Sequence, residues 1–154
     1  MNRFRNNMPA CGAIFTALLS NLILFSYLCK VIDTYGTFMD KLIETIVSAI
    51  EDKKGKNIVS LDLSGFDGAI CSHFVVCNAD STTQVCAIAD GIEERVLEKL
   101  GEKVWRVEGQ QNGVWVAMDY VDVVVHIFQT ELRGFYKLEE LWADAPMVKY
   151  EYEE

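Results

Sequence analysis

Two histidines, five cysteines and a close pair of aspartates are the side chains of this 154-residue sequence best equipped for chemistry. His73 and His126 are the candidate general bases, because a hydroxyl or thiol nucleophile needs such a group beside it. No Gly-x-Ser-x-Gly turn is present to hold a serine nucleophile. Both histidines fall within apolar, strand-like runs, where an imidazole can equally be a structural group. Alternation puts His126 on the face of Val124 and Phe128. Cys71, His73 and Cys77 alternate onto one face of another run, a weak zinc pattern that buried thiols explain as well. Asp119 and Asp122 flank Tyr120-Val121 and could converge on a divalent ion, or bond to the backbone of a tight turn. Gly65 and Gly68 lack the lysine and the helix that follow a phosphate-cradling loop. The residues form no complete catalytic constellation, and no metal or cofactor is expected.

The elements that would position these groups follow from hydropathy period and turn chemistry. Residues 40–52 place Leu42, Ile43, Ile46, Val47 and Ile50 on one stripe, the pattern of a surface helix with one buried face. Lys53-Lys54-Gly55-Lys56 closes it with positive charge and a glycine. Ile58–Leu63 and Ile70–Cys77 read as strands around the turn-forming Ser64–Gly68. Ser81-Thr82-Thr83-Gln84 matches a capping box opening a helix that buries Val85, Ile88, Ala89, Ile92, Val96 and Leu100, and Gly101 ends it. Strands are expected at Lys103–Glu108, Val114–Asp119 and Asp122–Phe128, with Asn112-Gly113 as a hairpin signal. Strand, helix and strand suggest a right-handed crossover between parallel strands. Thr130-Glu131 opens a short C-terminal helix with Leu132, Phe135, Leu138, Leu141 and Trp142 as its apolar residues. The expectation is a single α/β domain with a mixed five-stranded sheet flanked by helices.

Charge divides the chain. It carries 14 basic and 23 acidic residues, a formal net charge of −9. Residues 1–38 hold Arg3, Arg5 and Lys30 against Asp33, a net of +2, so the remainder carries −11. An acidic domain is a poor match for a nucleic-acid backbone, so no sequence-specific nucleic acid is expected, and a basic partner or a small molecule suits it better. Five cysteines without a CxxC favour free thiols in a reducing compartment. The boundaries expected are a hydrophobic extension over 1–38, a domain over 39–146 and an acidic, frayed tail over 147–154. Ala10–Cys29 is an uncharged run of twenty residues, long enough for a membrane anchor, although Thr16, Ser20, Asn21 and Ser26 weaken that reading. Met39, just before the amphipathic helix, could instead be the true start, and an extra packed helix is the third alternative.

Several strings, taken in order, resemble the ribosomal silencing factor family, RsfS, also called Iojap. They are Lys54–Leu63 (KGKNIVSLDL); Phe74–Cys77; Ser81 with Gln84-Val85 and Ile88-Ala89-Asp90; Glu108-Gly109; Trp115-Val116 with Asp119; Asp122–Phe128 (DVVVHIF); and Arg133, Tyr136, Leu138-Glu139 and Leu141-Trp142. The resemblance covers about Leu42 to Ala145. It implies a nucleotidyltransferase-like (Iojap) fold without catalytic residues, hence no enzyme. It further implies binding to ribosomal protein L14 on the large ribosomal subunit, steric block of small-subunit joining, repression of translation under nutrient limitation, a cytoplasmic location and a homodimer when free.

Carried over by motif, the partner-binding residues are Glu108, Trp115, Asp119, Asp122, Arg133 and Tyr136. Trp115 and Trp142 have a competing reading as core. Cys71-Ser72-His73-Phe74 replaces the family's Thr-Asp-Tyr-Phe-like string, and Ala79 and Val121 stand where glycine is usual; residues 1–38 have no counterpart. Two other functions compete: a membrane-tethered interaction domain, in which residues 1–38 would be translated and anchor the chain, and a residual nucleotide-binding domain using Asp119 and Asp122.

Overall fold

The computed structural model describes residue 30 and residues 34–151. The chain divides into two units, Met1–Phe38 and Met39–Glu154. The described residues of the first unit are helical, and the apolar run Ala10–Cys29 lies outside the described residues. Among the described residues no helix is long and apolar enough to cross a membrane.

In the second unit a helix over residues 39–52 (α1) is followed by β1 (Lys56–Asp62), β2 (His73–Ala79), α2 (Thr82–Leu100), β3 (Arg106–Glu108), β4 (Trp115–Asp119) and β5 (Val123–Gln129). Two short helices, α3 (Thr130–Tyr136) and α4 (Leu138–Leu141), precede β6 (Met147–Tyr150). The sheet runs β3-β4-β5-β2-β1-β6. β2 and β5 are parallel, from His73↔Val123 to Ala79↔Gln129, and the other neighbours are antiparallel.

The mixed α/β character is as expected, but the sheet has six strands, not five. The sixth occupies the stretch read as an acidic tail: Ile58 pairs with Tyr150 and Leu61 with Met147. Its side chains are mostly exposed, so hydropathy carried no signal; backbone pairing and a 3.2 Å contact between the Tyr150 and Ser60 hydroxyls hold it. The crossover also differs. α2 does connect strands of one direction, but it carries the chain past two intervening strands to β3 at the far edge, and the parallel neighbour of β2 is β5. The single C-terminal helix is two, broken where Lys137 takes a left-handed backbone (φ 46°).

Local chemistry explains the helix ends. The Ser81 hydroxyl accepts from the Gln84 N–H (3.2 Å), and Gly101 closes α2 with a positive φ. The Gln84 amide departs from the simple capping box, accepting from Asp80 N and donating to the carbonyls of Lys53 and Lys54, which ties α2 to the end of α1. There the positive φ belongs to Lys54 rather than glycine; Gly55 is required because a Cβ would lie 2.3 Å from the Ile50 side chain.

The sheet has two differently filled faces. α1 and α2 cover the first, burying Leu42, Ile46, Ile50, Ile88, Ile92 and Val96 against Val75, Val116, Val125 and Ile127. The second carries Val59, Leu61, Phe74, Val76 and Phe128 beneath Leu132, Leu138 and Trp142 of the C-terminal segment and Phe66 of the β1–β2 loop.

Candidate partner-binding surface

Strand register assembles the candidate residues on the second face. Trp115 stands opposite Phe128, Asp119 opposite Val124 and Glu108 opposite Ala117, so Glu108, Trp115 and Asp119 share the side of the sheet that carries His126 and Phe128. Gly109 makes the hairpin that joins them possible. Its φ is 84°, and a Cβ there would fall 1.9 Å from the Trp115 carbonyl oxygen.

Trp115 lies half-buried within a group of rings. Its indole stacks on Phe128 (centroids 5.0 Å, 22° between planes) and meets Tyr136 at 5.0 Å. Nε1–H donates to His126 Nδ1 at 3.3 Å. His126 is itself buried, with Phe74 edge-on at 4.8 Å, and burial pulls its pKa from 6.5 to about 4, so it is neutral. Core packing and partial exposure, the two readings of Trp115, hold together. Trp142 is half-buried, edge-on to Phe66 and Phe74, which is a packing role.

The other candidates separate by environment. Tyr136 ends α3 and is 46% exposed. Glu108 is exposed beside Arg106, its carboxylate 2.7 Å from the guanidinium. Asp119 accepts from Val121 N–H at 2.7 Å and so closes the β4–β5 turn. Asp122 serves the fold through its backbone carbonyl, which accepts from the N–H groups of Ser72 and His73 (2.9 and 3.0 Å). Arg133, only 13% exposed, is turned inward. It pairs with Glu139 and donates to the Asn57 carbonyl (2.6 Å) and the Asn78 amide oxygen (2.8 Å). Those bonds lock α3 and α4 to the ends of β1 and β2, so its guanidinium is committed within the fold.

Phe135 was missed as a surface residue. An unbroken helix would put it on one stripe with Leu132 and Leu138; Leu132 and Leu138 do pack on the second face, but Phe135 is 77% exposed, edge-on to Tyr136 at 5.2 Å. Leu141 is likewise turned out, at 75% exposure, and Trp105, preceding β3, is exposed at 72%. Gly134, one residue before Phe135, was the available warning of a weak helix.

The weaker chemical readings find little support in this geometry. Cys71 and Cys77 are buried thiols with pKa values pushed up to about 11 and about 12 by desolvation. Among the described residues no group of three or more His, Cys, Asp or Glu side chains is placed to hold a metal ion. The surface is therefore one of aromatic rings and carboxylates, suited to recognition by contact.

The family described as "Ribosomal silencing factor during starvation" matches residues 38–154. The chain belongs to the ribosomal silencing factor family. A curated relative from Halalkalibacterium halodurans, "Ribosomal silencing factor RsfS", is 39% identical over 111 residues, which is 72% of this chain and 93% of the relative. The protein of that name from Bacillus subtilis is 35% identical over the same length, 72% of this chain and 92% of its own. "Protein Iojap, chloroplastic" from Zea mays is similar over a shorter stretch, 36% identical across 49% of this chain and 32% of its own. Crystal structures agree. A protein from Chromobacterium violaceum superposes with TM-score 0.63 at 34% identity, covering 68% of this chain and 85% of that one. One from Bacillus halodurans gives 0.62 at 35%, covering 72% and 99%. Family membership thus rests on sequence and fold together, over the unit that carries the aromatic surface.

Proposed function

We propose that this protein silences translation by docking the open part of its second sheet face on ribosomal protein L14 of the large subunit. Bound there it stands in the way of the small subunit. The role is steric and regulatory, involves no catalysis, is exerted in the cytoplasm and belongs to nutrient limitation. The observation that carries the proposal is the strip Trp115–Tyr136–Phe135, partly to largely exposed on a domain of strongly negative charge, with Glu108 and Asp119 on the same face. Aromatic anchors near carboxylates fit a basic protein surface: the rings supply desolvated contact area, and opposite charge speeds encounter and sets orientation. Of the six motif-derived residues, Trp115, Tyr136, Glu108 and Asp119 are assigned to the contact. Asp122 and Arg133 shape the turn and the helices around it.

The test is sedimentation with separated ribosomal subunits, followed by addition of small subunits. The full chain and a Met39–Glu154 version should both migrate with large subunits and reduce the joined-ribosome peak. Trp115→Ala should lose most of that migration, and Glu108→Lys should weaken it in a salt-dependent way. Absence of co-migration by the unaltered protein would reject the proposal.

A further inference from the structure

Stacking fixes the plane of an indole but not which of its edges points outward, because a flip of about 180° about χ2 keeps the plane and exchanges the edges. Trp115, Phe128 and Tyr136 form a mutually touching triad of rings, and these contacts alone would tolerate the indole turning either edge outward. The one directional bond that its side chain makes among the described residues is Nε1–H to His126 Nδ1. His126 lies diagonally across the β4–β5 pair, because Trp115 faces Phe128 and Ala117 faces His126.

The imidazole is well placed to act as a fixed acceptor. It is buried, has Phe74 edge-on at 4.8 Å and lies nearly parallel to Phe128 at 6.2 Å. Accepting at Nδ1 puts its proton on Nε2, and Nε2 is buried without a hydrogen-bond partner among the described residues. An orphan donor in an apolar interior is a cost that a phenyl ring in the same place would avoid. Packing therefore does not call for histidine here; the bond to Trp115 does.

We infer that His126 is a positioning residue for partner binding, its Nδ1 setting which edge of the Trp115 indole is presented on the open face. The inference rests on the docking surface proposed above, and it places a required residue wholly beneath that surface.

The experiment compares His126→Phe and His126→Asn with the unaltered full chain. Phenylalanine keeps the ring packing without an acceptor, whereas asparagine offers an oxygen near the position of Nδ1 in a smaller side chain. Three readouts are taken: stability by denaturant unfolding, the Trp115 indole N–H resonance, and affinity for purified large subunits. His126→Phe should be as stable as the original or more so, shift the indole resonance to that of an unbonded N–H, and bind on the order of tenfold more weakly. His126→Asn should be less stable, yet recover the bonded resonance and part of the affinity. Stability and affinity moving in opposite directions is a pattern that a packing role would not produce. If His126→Phe binds as well as the unaltered protein, the positioning role is wrong and the docking proposal stands. If the unaltered protein does not bind, the docking proposal fails and this inference falls with it.

Discussion

Val125 and His126 are adjacent in β5 and face two different interiors. Val125, with Val123 and Ile127, meets α1 and α2 in a core of aliphatic side chains almost wholly withdrawn from water. His126, with Val124 and Phe128, meets aromatic rings under two short helices and a loop, and the β3–β4 end of that face is only partly covered. One face is closed by two amphipathic helices whose apolar stripes match it. The other keeps rings at partial exposure, where each has one side in the fold and one side free. Under the docking proposal the first face serves stability and the second recognition, and substitutions can test that division.

The largest effect should come from the closed face. Ile92 is fully buried between α2 and the sheet. Truncation to alanine leaves a cavity that helices anchored on both sides cannot collapse, and should lower unfolding stability by about 2–5 kcal/mol. Affinity for the large subunit, measured on the folded fraction, should be unchanged. A parallel loss of affinity would mean that the faces are coupled.

Acid should act on the other face. The folded-state pKa of His126 lies near 4 against 6.5 for an ordinary histidine. Between those values the unfolded chain binds a proton that the folded one excludes, so stability falls as pH drops through that window and is unaffected above it. The loss is roughly 3–4 kcal/mol when complete. Unfolding titrations at pH 7 and pH 4.5 check it, and His126→Phe should flatten the difference. Asp62, held low chiefly by hydrogen bonds from Ser64, and Asp80, held low by Lys56, add their losses further down the scale.

Phe135 separates recognition from folding most cleanly. Its ring is largely exposed and touches Tyr136, so Phe135→Ala should change stability by less than about 0.5 kcal/mol. If the open face is the docking surface, the same change should weaken large-subunit binding by about 1–2 kcal/mol in a competition sedimentation assay. Unaltered affinity would confine the contact to Trp115 and the carboxylates.

Sequence was informative where one face of an element is buried and silent where the backbone decides. The stripe Leu42–Ile50, the interior of α2 and the alternation of β5 are all legible, because burial imposes a period on side-chain type. β6 was not, since an edge strand with exposed side chains is specified by pairing to β1, a partner about ninety residues away. The α3–α4 break is set by one left-handed residue, Lys137, which hydropathy does not register, and the exposure of Phe135 is no more visible in the apolar pattern. For the surface, strand register brings Glu108, Trp115 and Asp119 to one side of the sheet and α3 brings Tyr136 to Trp115. The motif strings only named these residues, with Asp122 and Arg133, as candidates. They did not distinguish Arg133, whose partners Asn57, Asn78 and Glu139 come together only in three dimensions.

The smallest effect concerns the rim of the open face, where sequence had flagged a departure from the family's usual glycine. Val121 has φ 75°, and Asp122 N–H donates to the Tyr120 carbonyl across it, which makes a γ-turn with a positive central φ. A β-branched side chain is poorly suited to that region of backbone space, because Cβ substituents crowd the neighbouring carbonyl. The Asp119 carboxylate, accepting from Val121 N–H, and the bond from Tyr120 N–H to the Val123 carbonyl hold the turn despite this strain. Val121→Gly should therefore raise stability by about 1 kcal/mol, the relief of strain exceeding the added freedom of the unfolded chain. The Val121 side chain is also among the exposed apolar groups, so the substitution removes surface without opening a cavity. Denaturant unfolding reads the stability, and large-subunit affinity should stay the same, because the turn lies at the opposite end of the β4–β5 pair from Trp115 and Phe128. A stabilised variant with weakened affinity would extend the docking surface to this turn and give the valine a role that offsets its strain.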